Sequence, residues 1–473
     1  MEDHAPLIER AFRLEPVEES YDVEEVEGRV PDFVRGTYYL NGPARFSRGE
    51  FRYRNWLDGD GMISALRFEA GRVRFTSRFV LSAKLRAEEE AGRPLFRTFG
   101  TSFEGDRLKR RVALESPVNV SVYRFGESLL AFGEQGLPWE IDPLTLETRR
   151  EFNFGGALGD LTPFAAHPKL DSRTGEMFNF GVSFSADPLL NLYRFDASAR
   201  LIYRQRIPLE YACSVHDFAI SRNHVVLYLS PYVLDTGALV GGGRTLCESL
   251  GWQPERGSRL LVASRETGKP VASVTVGSRY CLHLINCFEE DARLTVDVLE
   301  LERPVYGEYR LPEIFADVGE GLPVRFVIDL ESGELVERRE LGYRLAPDFP
   351  SINPSLSAQA YEEFWMLGIS AAGKKGRKFF DQLVHARWAH ADAHEIYQAP
   401  ANHYLCGEPV FVADPTHGSG GAVVCQLFDA GSTTSAFLIF DAADVARGPV
   451  STLRLRHPIR LGFHATFCTG DAA

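Results

Sequence analysis

The sequence predicts an all-β protein and, within that class, a β-propeller. Three observations carry this. Short β-branched and aromatic runs fill most of the chain, such as TYYLNGP (37–43), HVVLYLSP (224–231), RLLVAS (259–264) and AFLIFD (436–441), and apolar alternation dominates over helical period. One turn pattern recurs between such runs: Asp142-Pro-Leu-Thr-Leu-Glu147, Asp171-Ser-Arg-Thr-Gly-Glu176, Ser264-Arg-Glu-Thr-Gly-Lys269 and Asp329-Leu-Glu-Ser-Gly-Glu334. No Pro/Gly/Ser-rich linker or composition shift divides the chain, so residues 1–473 are expected to form one domain even though 473 residues would allow about three.

The runs read as strands because β-branched and aromatic side chains fit a pleated, half-buried surface. The turns have a mechanism: Asp or Ser can bond its own backbone two residues on, and Gly supplies positive φ, so each is a hairpin. Repeated hairpins of one kind point to a propeller. Seven blades of about 45 residues would use roughly 315 and leave the rest for long insertions. Helical character is confined to 83–91 (AKLRAEEEA) and 233–252.

Composition is that of a soluble globular protein with material for a large core, 44% hydrophobic and 25% charged. A net charge of -13 and a pI near 5.5 argue against a nucleic-acid partner. The run Arg107-Leu-Lys109-Arg110-Arg111 reads as a solvated loop. The opening MEDHAPLIERAF lacks a basic then apolar segment, and no stretch of about 18 apolar residues occurs, which gives a cytoplasmic expectation. Seven scattered cysteines without Cys-x-x-Cys spacing read as small core residues.

Four of the twelve histidines stand in apolar or small-residue settings: Ala-Ala-His167-Pro, Ser-Val-His216-Asp, Cys-Leu-His283-Leu and Gly-Phe-His464-Ala. Singly, each reads as a satisfied core histidine. In a propeller, however, inner strands share one axis, so one residue from each of several blades can converge despite wide separation in sequence. Four neutral imidazoles suit iron, copper, nickel or zinc, and in an octahedral arrangement leave two adjacent positions open where oxygen could bind. Ligating histidines usually donate their other ring N–H to a carboxylate, and Glu134, Asp348 and Glu408 are candidates in apolar, strand-like settings.

Two further metal patterns are read as structural. His385-x4-His390-x3-His394-Glu395 lacks the Glu that a metalloprotease helix needs after its first His, and is expected to be two strands around a turn. Asp58-Gly-Asp60-Gly61 lacks the twelfth-position Glu of a calcium loop and reads as a tight turn. No phosphate loop, Gly-x-Ser-x-Gly elbow or cysteine nucleophile motif is present.

The residues resemble a known family, the carotenoid cleavage oxygenases. The matching segments run through nearly the whole chain: VRGTYYLNGPARF (34–46), LDGDGMISALRFEAGRVRFTSRFV (57–80), GLPWEIDPLTLET (136–148), AAHPKLDSRTGE (165–176), SVHDFAIS (214–221), HLINCFEE (283–290), GEPVFVADP (407–415) and GFHATF (462–467). The resemblance implies a seven-bladed propeller with ferrous iron, Fe(2+), on its axis, under a dome of loops and short helices enclosing an apolar tunnel. It implies His167, His216, His283 and His464 as iron ligands, oriented by Glu134, Glu408 and a third acid. Here the chain departs from the family, with Asp348 where a Glu usually precedes Phe-Pro. Three remedies for the shorter side chain are open: an inward backbone shift, a bridging water, or a looser histidine.

The implied reaction is insertion of O2 across a conjugated double bond of a lipophilic polyene, a carotenoid or apocarotenoid, giving two carbonyl fragments. A stilbene-cleaving relative is the alternative; it would need a Lys/Tyr pair to hold a phenolate, and Lys84 lies in the right region. A propeller that only binds a lipophilic ligand is disfavoured, because only metal chemistry would require all four histidine motifs. The resemblance also places an apolar patch for peripheral membrane contact at 232–246.

Overall fold

The computed structural model describes residues 3–69, 71–184, 187–416 and 420–470. Seven antiparallel sheets of four or five strands form the blades of a propeller. Their innermost strands, taken from blade 1 to blade 7, are Ala465–Cys468, Ser121–Phe125, Lys169–Leu170, Phe218–Ile220, Tyr280–Glu290, Asp348–Ser351 and His403–Ala413. Inner strands of neighbouring blades touch around most of the axis.

All four hairpin turns form where the sequence places them. Asp142, Asp171 and Asp329 each accept backbone N–H groups two or three residues on, and Ser264 Oγ accepts from Thr267 N. Gly175, Gly268 and Gly333 take φ near +70°, the conformation that only glycine adopts without steric cost. In the first turn Leu146 holds that conformation instead (φ 60), and its side chain is buried between blades 1 and 2.

Blades are glued face to face. Phe178, Leu190 and Leu192 of blade 3 pack on Phe218, Val225 and Leu261 of blade 4, and comparable clusters fill the other junctions. The ring closes twice through its ends: Ala465–Cys468 pairs with Gly36–Arg45 inside blade 1, while Val26–Gly28 pairs with Ser451–Arg454 on the outside of blade 7.

Long connections gather over one end of the axis as a dome whose aromatic core includes Trp56, Tyr280, Tyr306, Tyr309, Phe315 and Phe379. Its helix spans Ala83–Ala91, capped by Ser82 Oγ at its start and by Gly92 at its end. The expected helix over 233–252 is not continuous: Tyr232–Leu234 and Leu250–Trp252 pair as strands around a short helix, Thr236–Val240. Three successive glycines, 241–243, end that helix because they offer it neither propensity nor side-chain packing. No helix among the described residues is long and apolar enough to cross a membrane.

Candidate metal centre

His167, His216 and His464 each stand just before an inner strand, and His283 lies near the start of another. This puts all four at the dome end of the axis, one each from blades 3, 4, 1 and 5. Blades 2, 7 and 6 supply the acids: Glu134 follows Ser128–Phe132, Glu408 lies within His403–Ala413, and Asp348 opens its strand.

The four rings are buried, and one nitrogen from each lies within 4.8 Å of every other. Nε2 of His167 and Nε2 of His216 are 2.9 Å apart. Two imidazoles at right angles on a divalent metal with bonds of about 2.0–2.1 Å would place their nitrogens about 2.9 Å apart. Nε2 of His283 is buried without a hydrogen-bond partner, an arrangement that costs free energy unless something occupies the centre.

Behind the rings stand the carboxylates. Glu134 sets its oxygens 2.9 and 2.8 Å from Nδ1 of His216, Asp348 Oδ1 lies 2.5 Å from Nδ1 of His283, and Glu408 Oε2 lies 3.3 Å from Nδ1 of His464. A proton held on Nδ1 leaves the Nε2 lone pair for the centre. Burial, reinforced by the neighbouring imidazoles, holds His167 and His464 well below the usual histidine range and so keeps them neutral, as metal ligation requires. Burial also opposes charge on His216, but Glu134 outweighs it and raises that group. Glu408 is pushed up to about 7, chiefly by burial. The donor set therefore fits a borderline divalent ion.

The reach of Asp348 is settled by backbone. The register of blade 6 slips between Asp348 and Ser351, Phe349 adopts φ 52, and the carboxylate of Asp348 meets His283 directly. No water bridge is needed. The Phe349 ring then packs 5.7 Å from His283 and 5.1 Å from His464, while Tyr306 packs 6.3 Å from His216. Neither aromatic residue was singled out from sequence. Phe349 had a signal in its place beside Asp348, whereas Tyr306 had none, because only the folded dome brings it there.

On the dome side a cleft of about 250 Å³ is rimmed by Val112, Leu161 and Val240, which are 54%, 43% and 48% exposed. Two smaller cavities lined by Phe99, Glu134 and Leu246 continue inward from it. On the opposite side a cavity of about 280 Å³ follows the propeller axis up to His167, His283 and His464.

The other motifs are structural. His385 is buried on its strand between Glu363 and Glu395, and His390 lies in the turn between strands Gln382–Arg387 and Glu395–Gln398. Asp60 pairs with Lys84 and Arg48, while Asp58 accepts from Gly100 N and Thr101 Oγ1. Arg107, Arg110 and Arg111 are exposed in a loop.

A family model described as RPE65, retinal pigment epithelial membrane protein, matches residues 14–469. The chain belongs to this family, the carotenoid cleavage oxygenases. Among curated members, it is 27% identical over 97% of its length to apocarotenoid-15,15'-oxygenase of Synechocystis sp., covering 95% of that protein. It is 29% identical to isoeugenol monooxygenase of Pseudomonas putida, covering 93% of each chain. Cobalt-substituted Synechocystis apocarotenoid oxygenase superposes with a TM-score of 0.89 at 24% identity, over 99% of this chain and 100% of that one.

Proposed function

We propose that the protein is a non-haem iron(II) dioxygenase that cleaves a conjugated double bond of an apocarotenoid or carotenoid, with His167, His216, His283 and His464 as ligands. The observation that carries this reading is the meeting of four buried imidazole nitrogens within 4.8 Å, three of the rings backed by Glu134, Asp348 and Glu408. Bound there, ferrous iron would supply the activation of O2 toward the polyene, the two oxygen atoms ending in two carbonyl products without an external reductant. The protein's own part is positional. The carboxylates fix the tautomer and direction of His216, His283 and His464, and burial keeps His167 and His464 unprotonated. Phe349 and Tyr306 wall the centre with apolar and aromatic surface, which suits a polyene and can stabilise cationic character developing on it. Lipophilic substrate would come in through the cleft rimmed by Val112, Leu161 and Val240.

Relatives act on isoeugenol as well as on apocarotenoids, so identity alone does not select the substrate. Lys84 does. It is fully buried, 3.3 Å from Tyr53 Oη, and its amine is already held by Asp60 at 2.8 Å and Glu88 at 3.0 Å. Arg48 joins the same two carboxylates, 2.5 Å from Asp60 and 2.8 Å from Glu88, so the two cations of this cluster are already matched and leave a stilbene or phenylpropene phenolate no unpaired charge to bind. This favours the polyene reading.

Aerobic incubation with an apocarotenal, β-carotene, a hydroxystilbene and isoeugenol, with product masses, tests it. Aldehyde fragments are expected from the apocarotenal, together with near-stoichiometric iron and loss of turnover in His283→Ala. Turnover of the phenolic substrates alone would overturn it. We also assign the cleft rim to peripheral contact with lipid. Within 232–246 Leu239 points inward at 5% exposure while Val240 faces out, so Val240→Glu is the informative change. It should reduce liposome co-sedimentation, and unchanged binding would dismiss the contact.

A further inference from the structure

The axial cavity approaches the four-histidine centre from the face away from the dome, where the lipophilic route has no use for it. His167, His283, His464 and Glu408 form its inner wall, and the half-exposed Leu170, Ser351 and Phe467 stand at its outer end. Between them Lys169 reaches across to Asp217, Nζ to Oδ1 at 2.7 Å, and lies 5.8 Å over the Phe218 ring. Asp217 is buried and its second oxygen accepts from Leu284 N at 2.9 Å, so the pair is anchored to the strand that carries His283.

The two sides of the centre differ in chemistry. The dome-side cavities nearest Glu134 hold only about 30 and 40 Å³, walled by Leu57, Phe99, Phe164 and Leu246. A divalent ion passing there would meet Glu115 and Glu134, already engaged with Lys109 and His216, and would shed its water in a narrow, mostly apolar space at a cost of several kcal/mol or more. The axial side offers Asp217, Glu408 and ring nitrogens in succession, among them the unpartnered Nε2 of His283. An ion moving along it exchanges water for ligands step by step.

We propose that the axial cavity is the path by which a divalent metal ion reaches the histidines, and that the Lys169–Asp217 ion pair gates it. The inference rests on the four histidines being the metal site. The ammonium of Lys169 repels an approaching dication and occupies the first carboxylate it would meet. Removing that charge frees Asp217 to draw the ion in, and local fields of this kind change association rates by 10-fold to 1000-fold.

Uptake and release of cobalt(II) and ferrous ion by the full chain stripped of metal, followed anaerobically against a coloured chelator, tests this. Lys169→Met should take up and release metal at least about tenfold faster, with unchanged final stoichiometry. Ser351→Arg, at the half-exposed end, should slow both about tenfold, and Leu246→Phe, in the dome-side cavities, should alter neither. Unchanged rates in Lys169→Met and Ser351→Arg, with normal final loading, would overturn the path while leaving the site intact. Slowing in Leu246→Phe alone would move the path to the dome side. No uptake by the unaltered chain would remove the metal-site reading, and the path with it.

Discussion

Asp348 carries its carboxyl on one methylene fewer than glutamate, and the chain makes up the difference in backbone. Phe349 at φ 52 is a bulky residue in the left-handed region, which costs about 1–2 kcal/mol and persists because its ring is packed against His283, His464 and Phe380. The direct 2.5 Å contact leaves no room for a longer side chain. Asp348→Glu should therefore turn the His283 ring and weaken metal binding about tenfold, read as faster metal loss to a chelator; equal or tighter binding would show that the backbone relaxes to accommodate it. The place of Asp348 was legible in sequence, but its reach was not, because a register slip between strands is a property of the sheet and leaves no mark on the residue itself. The histidines were legible only as a set of motifs: each alone is an ordinary buried histidine, and what makes them a site is a closure that spans the chain.

Among the elements, the hairpins could be read because their chemistry is local: an Asp or Ser and a Gly at fixed offsets satisfy the turn from within. The 233–252 segment could not, because the pairing of Tyr232–Leu234 with Leu250–Trp252 replaces the helical hydrogen bonds expected there. The contacts between blades are equally non-local, and Glu289 is one whose value can be measured. From strand Tyr280–Glu290 it accepts from Asn223 N at 2.9 Å, Asn223 Nδ2 at 2.6 Å, His224 Nδ1 at 2.9 Å and the Ser221 hydroxyl, all in the turn that opens strand His224–Leu229 of the neighbouring blade. Burial pushes its carboxyl up, but these bonds prevail and bring it down to about 2 from 4.5. A folded-state value below the unfolded one means stabilisation that is complete above about pH 4.5 and is lost as pH falls toward about 2. Glu289→Gln should cost about 1–2 kcal/mol at pH 7, after allowance for partial solvent screening. The deficit should shrink in urea denaturation at pH 3; an equal deficit at both pH values would show that shape, not charge, holds the clasp.

For the whole molecule, closing the ring and completing the histidine set are one event. His464 immediately precedes strand Ala465–Cys468, and its backbone is fixed on both sides: its N–H donates to Val120 O at 3.1 Å, and its carbonyl accepts from Asn41 N at 3.0 Å. The approach of the segment before it, 461–464, to strand Gly36–Arg45 depends on two glycines set back to back. A Cβ on Gly42 would stand 2.6 Å from Gly462 Cα, and one on Gly462 would meet the Leu40 side chain at 2.6 Å. Any side chain at Gly42 must therefore push 461–464 outward, and with it the ring of His464, although Gly42 touches neither metal nor substrate. Gly42→Val is expected to destabilise the fold by about 1–3 kcal/mol and to lower metal content in the same step, with melting followed by calorimetry and metal by elemental analysis of the folded fraction. A conservative control on the outer closure, Val26→Ala, where strand Val26–Gly28 pairs with Leu453 and its neighbours on the far side of blade 7, should lower the melting temperature and leave metal content unchanged. If Gly42→Val melts earlier yet keeps full metal, then the closing strand and the centre move independently, and the last histidine is held by Glu408 and its neighbours rather than by the ring.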